Sequence, residues 1–252
     1  MSARVPLLAG NWKMHATAGE AVRLADAVVD GVRDVTDRDV LVAPPFPSLA
    51  PVAARLAGSR VLLAGQNLHW EDKGAFTGEV SGPMLAAVGC THAIVGHSER
   101  RQFFGDTDEW VARKAAAALR TGLTPIVCVG ETLQQREAGD TLRVVRLQVD
   151  AVSPLLATAK IPVAIAYEPV WAIGTGKTAQ PKDAEEVHAA IRGWLGERDP
   201  GLAGKCRILY GGSVKADNAA ALLGCPNVDG ALVGGSSLDA TQFGAIAGAA
   251  AR

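Results

Sequence analysis

One glutamate in the sequence has surroundings that suit acid–base chemistry. Glu168 follows the apolar run PVAIAY and precedes Pro169, and a residue before proline favours an extended backbone. The stretch VWAIGTGKT follows, and it combines large apolar side chains with the glycines of a loop. An apolar loop beside a carboxylate desolvates it, and desolvation raises the pKa of a carboxylate toward the range of a general base. The sequence therefore favours a general base at Glu168 over a solvated strand-end carboxylate.

Three further polar side chains could share a site with this glutamate. His97 precedes SERRQFF, which is typical of a short helix, and a helix N-terminus disfavours a charged imidazole. We therefore expect a neutral ring that donates a hydrogen bond. Lys13 lies between Trp12 and Met14, which favours a packed position over a solvated one, and Asn11 offers an amide two residues earlier.

Two glycine-rich turns could bind an anion. The stretches YGGS and VGGS end at Ser213 and Ser236, and successive backbone N–H groups in such turns form concave anion sites. The stretch GTGKT matches only the end of the phosphate-binding loop pattern G-x-x-x-x-G-K-[ST]. Trp171 occupies the place of its first glycine, so that pattern fails.

Composition and charge argue against several classes of partner. The 252 residues include 25 Lys and Arg and 26 Asp and Glu, a net charge of −1, with no basic stripe for nucleic acid or an anionic membrane surface. No uncharged run reaches transmembrane length, and the N-terminal segment is not typical of a signal peptide. The five histidines form no HxH or HExxH motif, so we expect chemistry without a metal or another cofactor.

The four cysteines indicate a reducing compartment. Cys90, Cys128, Cys206 and Cys225 lie far apart and form no CxxC motif. We expect four reduced thiols in a cytoplasmic protein.

Eight short apolar runs predict a buried parallel sheet, because each is apolar on both faces. They are VPLLAG, DVLVAP, RVLLAG, HAIVGH, PIVCVG, PVAIAY, RILYGG and GALVGG. Helical patterns lie between them, most clearly over residues 19–33, 107–122 and 181–198, with Thr107 as an expected N-cap. This alternation predicts an α/β fold, a single-domain (β/α)8 barrel over residues 1–252. A doubly wound sheet would need a glycine-rich turn after the first strand, where LLAGNWKMH has one glycine.

The barrel prediction brings the candidate residues to one mouth. In such barrels the loops that follow the strands share one face, and that face carries the site. A phosphate often binds at the loops after strands seven and eight, where the two glycine-rich turns lie. The residues placed at this mouth are Asn11, Lys13, His97, Ser98, Glu99, Glu168, Gly211, Gly212, Ser213, Gly234, Gly235 and Ser236.

Seven motifs, in order along nearly the whole chain, resemble the triosephosphate isomerase family. They are NWKMH (11–15), GAFTGE (74–79), VGHSERR (95–101), CVGE (128–131), AYEPVWAIGTGKTA (166–179), YGGSV (210–214) and LVGGSSL (232–238). The fifth is highly specific, whereas NWK or YGGS alone would be weak. The resemblance implies a TIM barrel that interconverts dihydroxyacetone phosphate and glyceraldehyde 3-phosphate through an enediolate. It also implies a place in glycolysis, gluconeogenesis and glycerol catabolism.

The resemblance implies a role for each matching residue. Glu168 matches the base that moves the proton, and His97 matches the electrophile that polarises the carbonyl. Asn11 and Lys13 match a substrate-binding pair, and Glu99, with its neighbour Ser98, matches a supporting position. Matches to the phosphate contacts are Gly174, Ser213, Gly234 and Gly235. The departures, SGPML after GAFTGE and Asp239 where the family often has lysine, do not touch these residues.

Two segments have further expected roles. The loop after Glu168 is expected to be a lid whose Val170, Trp171 and Ile173 face inward on closure and exclude water. Its glycines give the backbone the freedom to move. The resemblance also implies a homodimer joined through residues 66–79, with Thr77 near the partner's site.

Two rival hypotheses remain open at this point. Another phosphate-binding barrel enzyme would be a metal-dependent epimerase or a Schiff-base aldolase. The epimerase needs ligand histidines, and the aldolase needs a lysine inside a strand, where the sixth run here ends in Glu168. A non-catalytic scaffold would not need Asn11, Lys13, His97 and Glu168 together.

Overall fold

The described part of the chain is a closed eight-stranded parallel barrel surrounded by helices. The structure is a computed structural model, and it describes residues 4–173 and 179–249. Neighbouring strands pair in sequence order, and β8 closes the barrel against β1. The strands are β1 (Leu7–Asn11), β2 (Asp39–Ala43), β3 (Leu62–Gly65), β4 (His92–Val95), β5 (Thr124–Val129), β6 (Ala164–Tyr167), β7 (Arg207–Tyr210) and β8 (Gly230–Val233). Each predicted apolar run supplies one strand, so the predicted fold class is confirmed.

Helices form the outer layer. They are α1 (Ala18–Gly31), α2 (Leu49–Leu56), α3 (Gly82–Ala87), α4 (Ser98–Phe104), α5 (Asp108–Arg120), α6 (Leu133–Glu137), α7 (Thr141–Ala157), α8 (Pro181–Arg198), α9 (Pro200–Lys205), α10 (Ala219–Leu223) and α11 (Ala240–Ala247). Thr107 caps α5 as predicted, because its hydroxyl accepts the N–H of Trp110 at 3.2 Å. No helix in the described residues has the length and apolar character needed to cross a membrane.

The core has two layers, which explains why the strands are apolar on both faces. Alternate side chains, such as Leu7 and Ala9 of β1, fill the barrel interior, while Leu8 packs outward under the helices. Full burial of a leucine side chain contributes about 1.5–3 kcal/mol to stability. The barrel is therefore a rigid support for the loops at the carboxyl ends of its strands.

Candidate active site

A cavity of about 360 Å³ opens at the carboxyl ends of the strands. Most of the residues predicted from the sequence line it, and they lie at the ends of five strands, β1, β4, β6, β7 and β8. Those in its wall are Asn11, Lys13, His97, Glu168, Gly211, Gly212, Ser213, Gly234, Gly235 and Ser236. Ser98 and Glu99 contact two of these residues, as described below, whereas Gly174 lies outside the described residues.

Glu168 is a buried carboxylate held by two donors. Its side chain is 3% exposed at the end of β6. Oε1 lies 2.9 Å from Nε2 of His97, and Oε2 accepts the backbone N–H of Ser98 at 2.8 Å. Both donors come from the start of α4, so the structure fixes the carboxylate against the loop that follows β4.

The position of His97 as the N-cap of α4 determines which ring nitrogen carries the proton. Nδ1 accepts the backbone N–H of Glu99 at 3.3 Å, so this nitrogen carries no proton in the neutral ring. The remaining proton is then on Nε2, which points to Glu168. Gly105 ends the short helix with φ 74°, a conformation that glycine adopts at little cost.

The pair formed by Glu168 and His97 differs electrostatically from the sequence expectation. Burial raises the pKa of Glu168, as expected, but the charge and hydrogen bond of His97 and the N–H of Ser98 outweigh it, so the pKa lies below its usual value. Burial lowers the pKa of His97, but the charge and hydrogen bond of Glu168, with the charge of Glu99, outweigh burial and raise the pKa above its usual value. In this arrangement the glutamate is therefore ionised and ready to accept a proton.

Lys13 brings a positive charge to the opposite wall of the cavity. Its Nζ lies 2.6 Å from Oε1 of Glu99, and its backbone N–H donates to Oδ1 of Asn11 at 3.0 Å. Lys13 has φ 51°, which is unusual for a residue other than glycine. The packed position expected from the sequence is observed, because the Lys13 side chain is 25% exposed.

Two glycines on neighbouring strand ends make room for the base. A Cβ atom at Gly130 would lie 1.8 Å from the carbonyl oxygen of Glu168. A Cβ atom at Gly211 would lie 2.8 Å from Cγ of Glu168. Neither distance is compatible with van der Waals packing, so both positions require glycine for steric reasons.

The turns after β7 and β8 also line the cavity, and the turn after β8 lies beside Lys13. Ser236 donates its hydroxyl to the carbonyl of Val214 at 2.9 Å and so joins the two turns. A Cβ atom at Gly234 would lie 3.4 Å from Cε of Lys13. Glycine at this position therefore leaves space between the turn and the ammonium group, which suits a small anion.

The stem of the expected lid is anchored by a carboxylate to which sequence reasoning gave no role. Glu131 is fully buried and accepts Nε1–H of Trp171 at 2.8 Å and the hydroxyl of Tyr167 at 3.1 Å. The guanidinium of Arg136 stacks 4.3 Å from the centre of the Trp171 ring. Trp171 thus packs against this cluster, while Ile173 lines the cavity. CVGE is one of the seven motifs in the sequence, but a single glutamate after a strand does not indicate that its side chain is buried.

Among the described residues, no three His, Cys, Asp or Glu side chains are grouped so that they could hold a metal ion. The arrangement instead offers a buried base, a hydrogen-bond donor, an ammonium group and two glycine-rich turns. It can move a proton on a small anionic substrate.

Comparisons with known proteins agree with this chemistry. The family model described as triosephosphate isomerase matches residues 6–250. Among curated relatives, triosephosphate isomerase of Chloroflexus aurantiacus is 53% identical over 247 residues, with 95% of this chain and 97% of the relative covered. That of Moorella thermoacetica is 54% identical, with 96% and 98% covered. The solved structure of triosephosphate isomerase from Bartonella henselae is similar with a TM-score of 0.86 at 39% identity, covering 96% and 97%.

Proposed function

The chain belongs to the triosephosphate isomerase family and is an isomerase of triose phosphates, and from this premise we propose the roles of its residues. The observation that carries the proposal is the 2.9 Å contact between Glu168 and His97 in the wall of the cavity. It pairs an ionised carboxylate with a hydrogen-bond donor at one place.

Glu168 is the base. Its carboxylate removes a proton from the hydroxyl-bearing carbon of dihydroxyacetone phosphate, and the electron pair of that C–H bond forms the enediolate. The hydroxyl proton moves from the oxygen of the first carbon to the oxygen of the second, and the same carboxyl group returns the carbon-bound proton to the second carbon, which gives glyceraldehyde 3-phosphate. To reach the substrate, the side chain must leave the N–H of Ser98, which it contacts at 2.8 Å.

His97 is the electrophile. Nε2–H donates a hydrogen bond to the carbonyl oxygen as negative charge develops there. A donor placed in a water-poor site stabilises such charge strongly because it does not have to reorient. The helix N–H that occupies Nδ1 keeps this proton on Nε2.

Lys13, Asn11 and the glycine-rich turns bind the substrate. The ammonium of Lys13 supplies a positive charge, and the amide of Asn11 lies beside it. Ser213, Gly234 and Gly235 line the same cavity and bind the phosphate. Gly174 completes this set in our proposal, although it lies outside the described residues. Glu99 supports Lys13 through the 2.6 Å contact, and Ser98 holds Glu168 between turnovers.

The segment after Glu168 acts as a lid. An enediolate phosphate that meets water can expel its phosphate and leave methylglyoxal, so exclusion of water protects the intermediate. Ile173 already lines the cavity, and Trp171 anchors the stem on Glu131.

We also propose that the chain acts as a homodimer through residues 66–79. Phe76 in this segment is 43% exposed and packs 4.2 Å from the ring of His69, a combination that leaves an aromatic patch at the surface. Contiguous apolar patches on a protein surface often mark interfaces. Other exposed apolar side chains include Met14, Met84, Phe103, Phe104 and Trp110.

A cytoplasmic location and a single domain complete the proposal. Cys90, Cys128 and Cys206 are buried free thiols, and burial raises the pKa of Cys90 and Cys206 to about 12. Free thiols are typical of a reducing compartment. The barrel closes between β1 and β8, the first and last strands, which supports one domain over the whole chain.

Steady-state kinetics of Glu168→Asp tests the assignment of the base. The coupled assay uses glyceraldehyde 3-phosphate without added metal. Shortening the side chain by one methylene withdraws the carboxylate by about 1 Å, and a misplacement of this size costs ~10²-fold in kcat. KM should change less, because other loops bind the phosphate. Glu137→Asp, at an exposed position on α6, is the matched control. A kcat for Glu168→Asp equal to that of the parent would show that Glu168 is not the base.

A further inference from the structure

The carboxamide of Gln66 joins the ends of three neighbouring strands beside the cavity. Gln66 directly follows β3, and its Nε2 donates to the carbonyl of Lys13 at 2.8 Å and to the carbonyl of Ala43 at 2.8 Å. Ala43 is the last residue of β2, and its carbonyl also accepts the N–H of Trp12 at 3.0 Å. Both N–H donors of the amide are used, so its orientation is fixed.

Lys13, whose carbonyl accepts one of these two bonds, has an uncommon backbone conformation. Lys13 has φ 51°, in the left-handed region, which is unfavourable for a residue with a Cβ atom. A residue remains in such a conformation only where its surroundings hold it there. Here the chain has just left β1 at Asn11 and turns within two residues.

The two peptide groups that flank the Lys13 Cα atom are each held by a side-chain amide. The preceding peptide is fixed by its N–H, which donates to Oδ1 of Asn11 at 3.0 Å. The following peptide is fixed by its carbonyl, which accepts Nε2–H of Gln66 at 2.8 Å. Because the two peptide planes define φ and ψ, they also define the direction of the Cα–Cβ bond. That direction brings Nζ to the cavity and to Glu99.

We propose that Gln66 is a positioning residue for the reaction, which acts by holding Lys13 in its left-handed conformation so that the ammonium group faces the substrate. The proposal rests on the proposed role of Lys13 in substrate binding. Gln66 itself does not contact the substrate; it acts through the backbone of Lys13. Without the donors of Gln66, Lys13 relaxes toward an ordinary φ and its ammonium group shifts from its place at the cavity.

The test is a double-mutant cycle with Gln66→Met and Lys13→Met. Methionine has nearly the shape of glutamine but no N–H donors. In the parent background we expect Gln66→Met to lower kcat/KM by about 10-fold to 100-fold, because an ammonium displaced by about 1 Å loses its contribution to the oriented complex. The inhibition constant of inorganic phosphate should rise in parallel. In the Lys13→Met background, which has no ammonium to position, Gln66→Met should change kcat/KM by less than about two-fold.

Three results would speak against the proposal in distinguishable ways. If Lys13→Met is impaired and Gln66→Met lowers kcat/KM by the same factor in both backgrounds, Gln66 has only a structural role and the inference is wrong. If Gln66→Met retains parent kcat/KM while Lys13→Met is impaired, the inference is equally wrong. If Lys13→Met retains parent activity, the proposed function of Lys13 fails, and the inference falls with it. Gln134→Met, at an exposed position on α6, is the control and should match the parent. Should Gln66→Met fail to fold by circular dichroism, Gln66→Asn, whose shorter amide cannot reach both carbonyls, takes its place in both backgrounds.

Discussion

The contact between Glu168 and His97 links the charge of each side chain to the position of the other. The carboxylate raises the pKa of His97 against the effect of burial, but only while it lies 2.9 Å away. When Glu168 turns toward the substrate, burial and the positive charge of Lys13 remain and lower the pKa of His97, and together they outweigh the smaller opposite effect of the Glu99 carboxylate. We therefore expect the ring to be neutral when it faces the substrate, with its proton on Nε2.

Replacing His97 by asparagine keeps an N-cap on α4 but removes the ring nitrogen that faces Glu168 and the cavity. Asparagine is a good N-cap and can still accept the N–H of Glu99, but its shorter side chain does not reach Glu168. We expect kcat to fall by ~10²–10³-fold, as for the loss of one donor to a developing oxyanion. Glu168 also loses the interaction that lowers its pKa, while burial persists, so the acidic limb of the kcat/KM profile should move to higher pH. A limb at the parent pH would contradict the proposed coupling.

Which residues line the cavity was predictable from the sequence, but their pairings were not. Glu168 and His97 each follow an apolar run, and parallel strands bring their ends to one face. Their contact, and the bond from Ser98 to Glu168, depend on the distance between loops far apart in the chain. For this reason the expected rise in the pKa of Glu168 was wrong, because the desolvation was foreseen and the donors that outweigh it were not.

At the scale of elements, the lid stem depends on one buried carboxylate. Trp171→Phe removes the indole N–H that donates to Glu131 at 2.8 Å and leaves this carboxylate with one donor fewer. A hydrogen bond to a charged group contributes about 2 kcal/mol, so we expect a loss of that size in the free energy of unfolding. Urea unfolding measures it. Trp194→Phe on α8, where the indole packs near Arg146, is the control. Equal losses in the two variants would show that the bond to Glu131 is unimportant.

Deleting residues 173–176 tests the lid more directly. The barrel strands do not include these residues, so we expect circular dichroism like that of the parent. The deletion removes the apolar side chain of Ile173 from the cavity wall, and water then reaches the enediolate. The ratio of methylglyoxal to isomerised product should therefore rise steeply. An unchanged ratio in a folded protein would mean that the segment does not protect the intermediate.

The strands and the helices α1, α4, α5 and α8 were predictable from the sequence, whereas α7 and the short helices other than α4 were not singled out. The pattern over 181–198 gives α8 with the same ends, because 18 residues carry a clear helical period. The helix α6 has only five residues, too few for a period. Its signal was local instead: Thr132 and Gln135 form a capping box, with each side chain accepting the backbone N–H of the other.

At the scale of the whole molecule, the proposed dimer predicts a mass of twice 26.0 kDa at micromolar concentration. Phe76→Arg places a charge in the proposed interface and should shift the protein toward the monomer with a loss of activity. Leu147→Arg is the matched control, since Leu147 is 56% exposed on α7, outside residues 66–79. Sedimentation velocity and the coupled assay report both effects. A parent that sediments as a monomer with full activity would overturn the dimer.

Buried histidines predict how acid destabilises the fold. Burial lowers the pKa of His188 from 6.5 to about 4, so the unfolded chain binds a proton that the folded chain rejects between these values. The contribution of His188 to the free energy of unfolding is therefore fully present above pH 6.5. It is lost as the pH drops toward 4, a change of about 3 kcal/mol. In His188→Phe the free energy of unfolding should fall less steeply with decreasing pH. Part of the fall that remains is due to His92, because burial lowers its pKa to about 3. Urea unfolding at one protein concentration measures both slopes, and identical slopes would contradict this account.

The two glycines beside Glu168 limit how this site can vary between sequences. A methyl group at Gly130 would meet the carbonyl oxygen of Glu168 at 1.8 Å, and one at Gly211 would meet its Cγ at 2.8 Å. Even alanine would therefore displace the strand end that carries the base. In saturation mutagenesis, these positions should tolerate as little change as Glu168 itself, although neither has a functional group. The position of the carboxylate thus depends partly on the absence of a Cβ atom at these two glycines. We therefore expect substitutions at these two codons to be as restricted as at the codon of Glu168.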